Sequence, residues 1–252
     1  MSTGRIAAVV RKELREYRRS PSVIGTMAVL PLAFLVEPIV LILKLGSSIP
    51  AGTVQKSVGA TFLLLLVAPA LLPAVIAASS VVGEREQGTL EPLLTTPLRR
   101  EELLLGKAVA AIVPSVGIAY VVFAAIEVTA RLVARNPAVA PALWQGPHVL
   151  AEILFAPLLA AWSIWVGIGI SARSSDVRAA QQLGTLASLP PLGVVALMSF
   201  NVFTPSLTLA VIFALVLLAA DVLLWRIVSA MFDRERLITG ARARRSTGAT
   251  SS

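Results

Sequence analysis

The sequence predicts an all-α polytopic membrane protein: an amphipathic N-terminal interfacial helix, then six transmembrane helices, with both termini cytoplasmic. Three observations carry this. Of 252 residues, 56% are apolar and 14% charged, whereas soluble domains are about one quarter charged. Six apolar stretches are long enough to cross hydrocarbon about 30 Å thick, which takes about 20 residues. Lysine and arginine are split 18 to 4 between the two sides that these stretches define, and the richer side is cytoplasmic. That split also accounts for the net charge of +8 as membrane topology rather than nucleic-acid binding. No cysteine and one histidine, His148, exclude a disulfide framework and a thiolate or polyhistidine metal site.

The first element is basic. In "RIAAVVRKELREYRRSPS" the residues Ile6, Val9, Val10, Leu14 and Tyr17 recur at helical spacing, with Arg5, Lys12, Arg15 and Arg19 largely opposite. Residues 5–19 therefore read as a helix in the headgroup plane, its cations near anionic membrane lipid. A plain juxtamembrane basic tail is the alternative. Ser20 can cap the next helix and Pro21 suits its first position. Span one, 23–43, is too long for a signal-peptide core and shows no cleavage site.

The remaining spans are 58–82, 108–129, 149–170, 185–203 and 207–228. The fifth is weakest, because Pro190 and Pro191 remove two backbone donors within "LGTLASLPPLG". Such a helix kinks or breaks where protein or a water-lined cavity satisfies the freed carbonyls. It faces a translocation path, or it is a packing kink. The following "SFNVFTPS" is a tight turn or dips back into the membrane. Residues 1–238 read as one transmembrane domain and 239–252 as a disordered cytoplasmic tail.

Four acids lie within or beside spans. An acid at the membrane centre costs about 2.5–3.5 kcal/mol, so each is a functional candidate. Glu37, Glu127 and Glu152 fall towards the outer side and could meet at an external mouth. They would attract a cationic substrate weakly, or simply form a wet vestibule. Asp221 lies nearer the inner side; Arg226, five residues on, is badly placed for a same-helix pair, so a partner on another span is expected. Trp144 and Trp225 read as interfacial belt residues, and Trp162 and Trp165 as packing. Ser171 and His148 fall on opposite sides of the membrane, so no catalytic dyad forms.

The polar segment "EREQGTLEPLLTTPLRREELLLGK", residues 84–107, interrupts the apolar pattern on the cytoplasmic side. Span two continues to about Glu86, and Gly88 stops it. Thr89 can cap a short helix with Pro92 in its first turn and Leu90, Leu93 and Leu94 on one face; Pro97 ends it. One or two turns are not stable alone in water. The segment either docks on a partner protein or packs as a loop on its own membrane domain.

These residues resemble the signature of type-2 ABC exporter permeases: an acidic–basic–acidic end of span two, then G-T, an acid, leucines, T-P and E-L-L-x-G-K. Glu84, Arg85, Glu86, Gly88, Thr89, Glu91, Leu93, Leu94, Thr96, Pro97, Glu102, Leu103, Gly106 and Lys107 match it, and the layout of interfacial helix and six spans matches too. One departure is that members often carry Ser or Thr after T-P, boxing with the later Glu. Here Arg99 and Arg100 stand there, so Glu102 lacks that partner and the start of span three is less well marked.

The resemblance implies that the short helix is a coupling helix seated in a separate ATP-binding subunit, with Glu84, Arg85, Glu86, Gly88, Thr89, Leu90, Glu91, Leu93, Leu94, Pro97 and Glu102 as coupling residues. The sequence holds no G-x-x-x-x-G-K-[ST], so ATP and Mg²⁺ belong to that subunit; no cofactor, metal or catalytic residue is expected on this chain. Six spans imply a second permease copy or a sister permease. Spans one, two and five would line the route or the dimer seam, with Glu37, Glu127, Glu152, Pro190 and Pro191 as path candidates. A small amphiphile exported across a bacterial inner membrane is the expected cargo; the excess of arginine over lysine, 18 to 4, fits a GC-rich genome. An ATP-independent carrier using its intramembrane acids is the rival reading, and a membrane enzyme or scaffold a third. The polar segment discriminates, because a secondary carrier needs no cytoplasmic docking helix.

Overall fold

A computed structural model describes residues 2–88, 98–144, 146–199 and 206–231. Among these the chain forms nine helices and no strand: α1 Thr3–Tyr17, α2 Pro21–Lys44, α3 Ala51–Glu86, α4 Arg100–Val133, α5 Val139–Leu143, α6 Gly146–Arg173, α7 Val177–Ala187, α8 Leu189–Ser199 and α9 Leu207–Met231. Six spans follow, formed by α2, α3, α4, α6, α7 with α8, and α9.

Helix α3 is the axis of the bundle. Its apolar stretch is 80% buried, against 18% for α2 and 22% for α9, which present leucine and valine outward. With 36 residues it is about 54 Å long at ~1.5 Å per residue, so it overshoots the hydrocarbon at both ends. Hydropathy located only the segment 58–82, because the first turns carry Thr53, Gln55, Lys56 and Ser57, which continue the helix through water. The same reason extends α4 beyond the expected 108–129.

Helix α6 runs parallel to α3 and makes its most extensive contact. Small residues permit this. A Cβ on Gly167 would stand 2.6 Å from the Ala77 Cβ and 3.2 Å from the Ala74 carbonyl. Two serines of α6 bind α3 backbone along the same seam: Ser163 donates to the Ala70 carbonyl, and Ser171 donates to that of Ala78 at 2.6 Å. The Ser171 hydroxyl also accepts from the Val82 N–H at 3.0 Å. It thus contacts both members of one i→i−4 pair of α3, close to where that helix leaves the membrane.

Span five is broken, as its prolines require, but it begins earlier than expected, at Val177, where Asp176 caps α7 by accepting from the Ala179 N–H at 2.8 Å. Ser188 separates α7 from α8. Pro190 and Pro191 then occupy the first turn of α8, where absent N–H groups are no loss. Pro191 deprives the Ala187 carbonyl of its i+4 donor, and the Trp162 indole N–H supplies one instead at 2.9 Å. Trp162 was legible only as packing; it also satisfies the break. Trp162→Phe keeps the packing but orphans that carbonyl. A loss of about 1 kcal/mol is expected, visible as a lowered unfolding midpoint in detergent; an unchanged midpoint would contradict this role.

Three smaller expectations change. Ser20 precedes α2, but its side chain makes no capping hydrogen bond, while Pro21 does hold the first helical position. Trp225 is not simply a belt residue, since it packs edge-on against Trp165 with ring centroids 4.9 Å apart. On the outer side Asn136, unremarked in the sequence, donates to the carbonyls of Gly46 (2.9 Å) and Ile49 (3.1 Å) and joins two loops.

Candidate functional site at the cytoplasmic face

The segment 84–107 leaves from α3 and returns through α4. Helix α3 ends at Glu86, and Gly88 adopts a φ of +69°, a left-handed conformation that favours glycine. Residues 89–97 lie outside the described residues, and with them Thr89, Leu90, Glu91, Leu93, Leu94 and Pro97 of the expected coupling set. The two flanks are described, and each is fixed to a different part of the molecule.

On the first flank, Glu84, Arg85 and Glu86 point three ways. Glu84 turns inward and accepts from the Lys107 ammonium at 2.8 Å and from Lys12 at 2.9 Å. Arg85 forks onto the last carbonyls of α6, donating to Ala172 at 3.1 Å and Ser174 at 3.0 Å. It thereby satisfies a helix C-terminus with a cation, where the dipole favours one. Glu86 is exposed.

On the second flank, Glu102 is 1% exposed and well partnered. It accepts from the Arg99 N–H at 3.1 Å, the half of a capping box that an acid at the third helical position provides. Its other oxygen accepts from the Ser2 N–H at 2.8 Å, and Arg5 lies 3.6 Å away. The expectation that Glu102 lacks a capping partner is therefore corrected. The start of α1 replaces the missing Ser or Thr and marks the start of α4 at Arg100.

Lys107 joins the flanks. It is 2% exposed, and besides Glu84 it bonds Glu13 of α1 at 2.9 Å and the Ser80 carbonyl at 3.3 Å. Lys12 bridges Glu13 and Glu16, each at 3.2 Å. Burial alone would raise Glu13; the Lys107 and Lys12 ammonium groups outweigh it and hold that carboxyl below the usual range. Burial lowers Lys12 in the same way, but Glu13, Glu84 and Glu16 raise it overall. Tyr17 is raised by burial and then by the Glu13 charge. Oxygens of Glu13, Glu16 and Glu84 lie within 4.8 Å of one another, a spacing that could hold a metal. Two lysine ammonium groups already occupy that donor set, so the cluster reads as a charge network.

Helix α1 is thus bound to the bundle at Glu102 and at Lys107, and between them it crosses α4 at Gly106. A Cβ there would meet the Val9 side chain at 2.5 Å. The helix lies against the protein through Val9 and Glu13, both buried, while Leu14 on the expected apolar face remains 38% exposed. The sequence did not single out Glu13. Its signal was an acid set between apolar positions on the face that also carries Ile6, Val9 and Tyr17.

The outer acids sit in different settings. Glu37 is exposed on α2. Glu127 is buried and accepts from Arg131 at 2.7 Å, whose guanidinium lies 5.4 Å from the exposed Trp144 ring. Glu152 is buried with neither oxygen partnered among the described residues. They form no group of three acids of the kind seen at Glu13, Glu16 and Glu84. Asp221 is likewise buried without a partner among the described residues, contrary to the cross-span pairing expected for it.

Six helices of this length and apolarity define a multi-pass membrane protein. The sequence profile of the ABC-2 family transporter proteins matches residues 7–235, and the chain belongs to that family. It is accordingly a transmembrane subunit of an ABC transporter, and the family implies an ATP-binding partner subunit. A comparison with curated proteins gives no match.

Proposed function

We propose that this chain is the permease subunit of an ABC exporter that moves a small amphiphile, drug-like or lipid-like, out of a bacterial cell across the inner membrane. ATP is hydrolysed by a separate subunit, and a second permease copy or a sister permease completes the pathway. The reading rests on one observation above all. Both ends of the polar segment are wired into the helices that would have to move: Glu84 and Lys107 tie α3 and α4 to α1, and Arg85 ties α3 to α6. A push on residues 89–97 would therefore be felt at four helices at once, through the buried Lys107 ion pairs to α1 and α3 and through the Arg85 hydrogen bonds to the end of α6.

One observation favours a second reading, an ATP-independent carrier: Glu152 and Asp221 are buried in spans without partners among the described residues. Transport of a fluorescent amphiphile into inverted vesicles separates the two. With the chain and its ATP-binding subunit co-expressed, uptake is expected to require ATP and to persist when the proton gradient is collapsed. Uptake driven by a proton gradient, without ATP or partner, would overturn the exporter reading.

A further inference from the structure

A groove of about 960 Å³ runs along the side of α1 that faces away from the charge network, closed on one edge by Val109 of α4. Its floor and its rim differ in chemistry. Ile6, Ala7, Val10 and Leu14 follow one another at helical spacing and form an apolar strip, with Thr3 at its start. Arg11, Arg15 and Arg18 form the adjacent strip, with Arg19 beyond them. All four arginines are exposed, and none is in an ion pair among the described residues. Lys12 of the same helix behaves differently, turning to Glu13, Glu16 and Glu84.

The groove opens onto the membrane. Val109 is 39% exposed and Val113, one turn deeper into the span, 63%. A ligand with its head on the arginine strip could therefore send a chain down the outer surface of α4 without leaving apolar contact. Arginine forks suit the oxygens of a phosphate. The position, at the cytoplasmic end of a span, is where phospholipid headgroups lie.

We propose that this groove is a binding site for one anionic phospholipid, with its phosphate on Arg11, Arg15 and Arg18 and one acyl chain passing Val109 and Val113. Charge complementarity selects an anionic over a zwitterionic headgroup. The apolar strip and the open path along α4 select a lipid over a free phosphate. The site does not depend on the cargo or on the partner subunit. The lipid would weigh on α1, which is bound to α3 and α4 through Lys107 and Glu102, so its occupancy reaches the elements that carry the polar segment.

The test uses the full-length chain in nanodiscs of mixed phosphatidylglycerol and phosphatidylcholine, released into native mass spectrometry. Phosphatidylglycerol is expected to be retained over phosphatidylcholine about tenfold. The ratio should fall to that of the bulk lipid in the triple variant Arg11→Gln, Arg15→Gln, Arg18→Gln. Val109→Trp keeps every charge but obstructs the acyl path at that edge of the groove, and it should lower retention as well; this arm decides the matter if the triple variant does not fold. Retention unchanged by Val109→Trp would mean that the arginines act on the leaflet as a whole, overturning the site. Displacement by inorganic phosphate, or a dimer that retains no phosphatidylglycerol, would overturn it too.

Discussion

Lys107→Met is expected to destabilise the purified protein by about 3–5 kcal/mol, the usual cost of breaking a buried ion pair by removing one partner. Methionine fills nearly the same volume, so the effect is electrostatic. Glu13 and Glu84, 3% and 9% exposed, would face each other across the half-buried Lys12 without the buried ammonium between them. The Ser80 carbonyl would also lose a donor. The loss should show as a lower unfolding midpoint in detergent and as faster proteolysis within α1, because the bond to Glu13 ties that helix to α3 and α4. Removing the charges together, with Glu13→Gln and Glu84→Gln added to Lys107→Met, should recover much of the loss, since no charge is then stranded. A single variant as stable as the parent would show that the network does not hold the cytoplasmic face together.

The spans were legible because burial in lipid needs nothing but length and apolarity, and both are written residue by residue. Their ends were not, since α3 and α4 run on through water on polar residues that hydropathy discards. The break in span five was legible in Pro190 and Pro191. Its repair was not, because nothing local in the sequence links Trp162 to a carbonyl 25 residues away. The same holds for the cytoplasmic face. Glu84, Arg85 and Glu102 could be picked out as a group by resemblance to a family signature, but that resemblance attaches them to a partner. In the structure all three bind within the chain: Glu84 and Glu102, both buried, onto Lys107 and the start of α1, and the exposed Arg85 onto the end of α6. A role within the chain is therefore sufficient to explain their chemistry. If any residues of the segment meet a partner directly, the leucines are the better candidates, since a short apolar face has no reason to stand in water.

Leu93 and Leu94 carry the largest functional effect. Burying a leucine side chain is worth about 1.5–3 kcal/mol, and an aspartate in its place adds the cost of an unpaired carboxylate at a desolvated contact. Two such changes exceed what a subunit contact of ordinary size can spare. Neither leucine carries a charge that the network could use, so the fold should be indifferent to them. The decisive measurement is co-purification of an affinity-tagged Leu93→Asp, Leu94→Asp chain with its co-expressed ATP-binding subunit, alongside membrane yield and unfolding midpoint. Parent-like yield and midpoint with the ATP-binding subunit lost is the predicted result. Undiminished co-purification of that subunit would contradict the account.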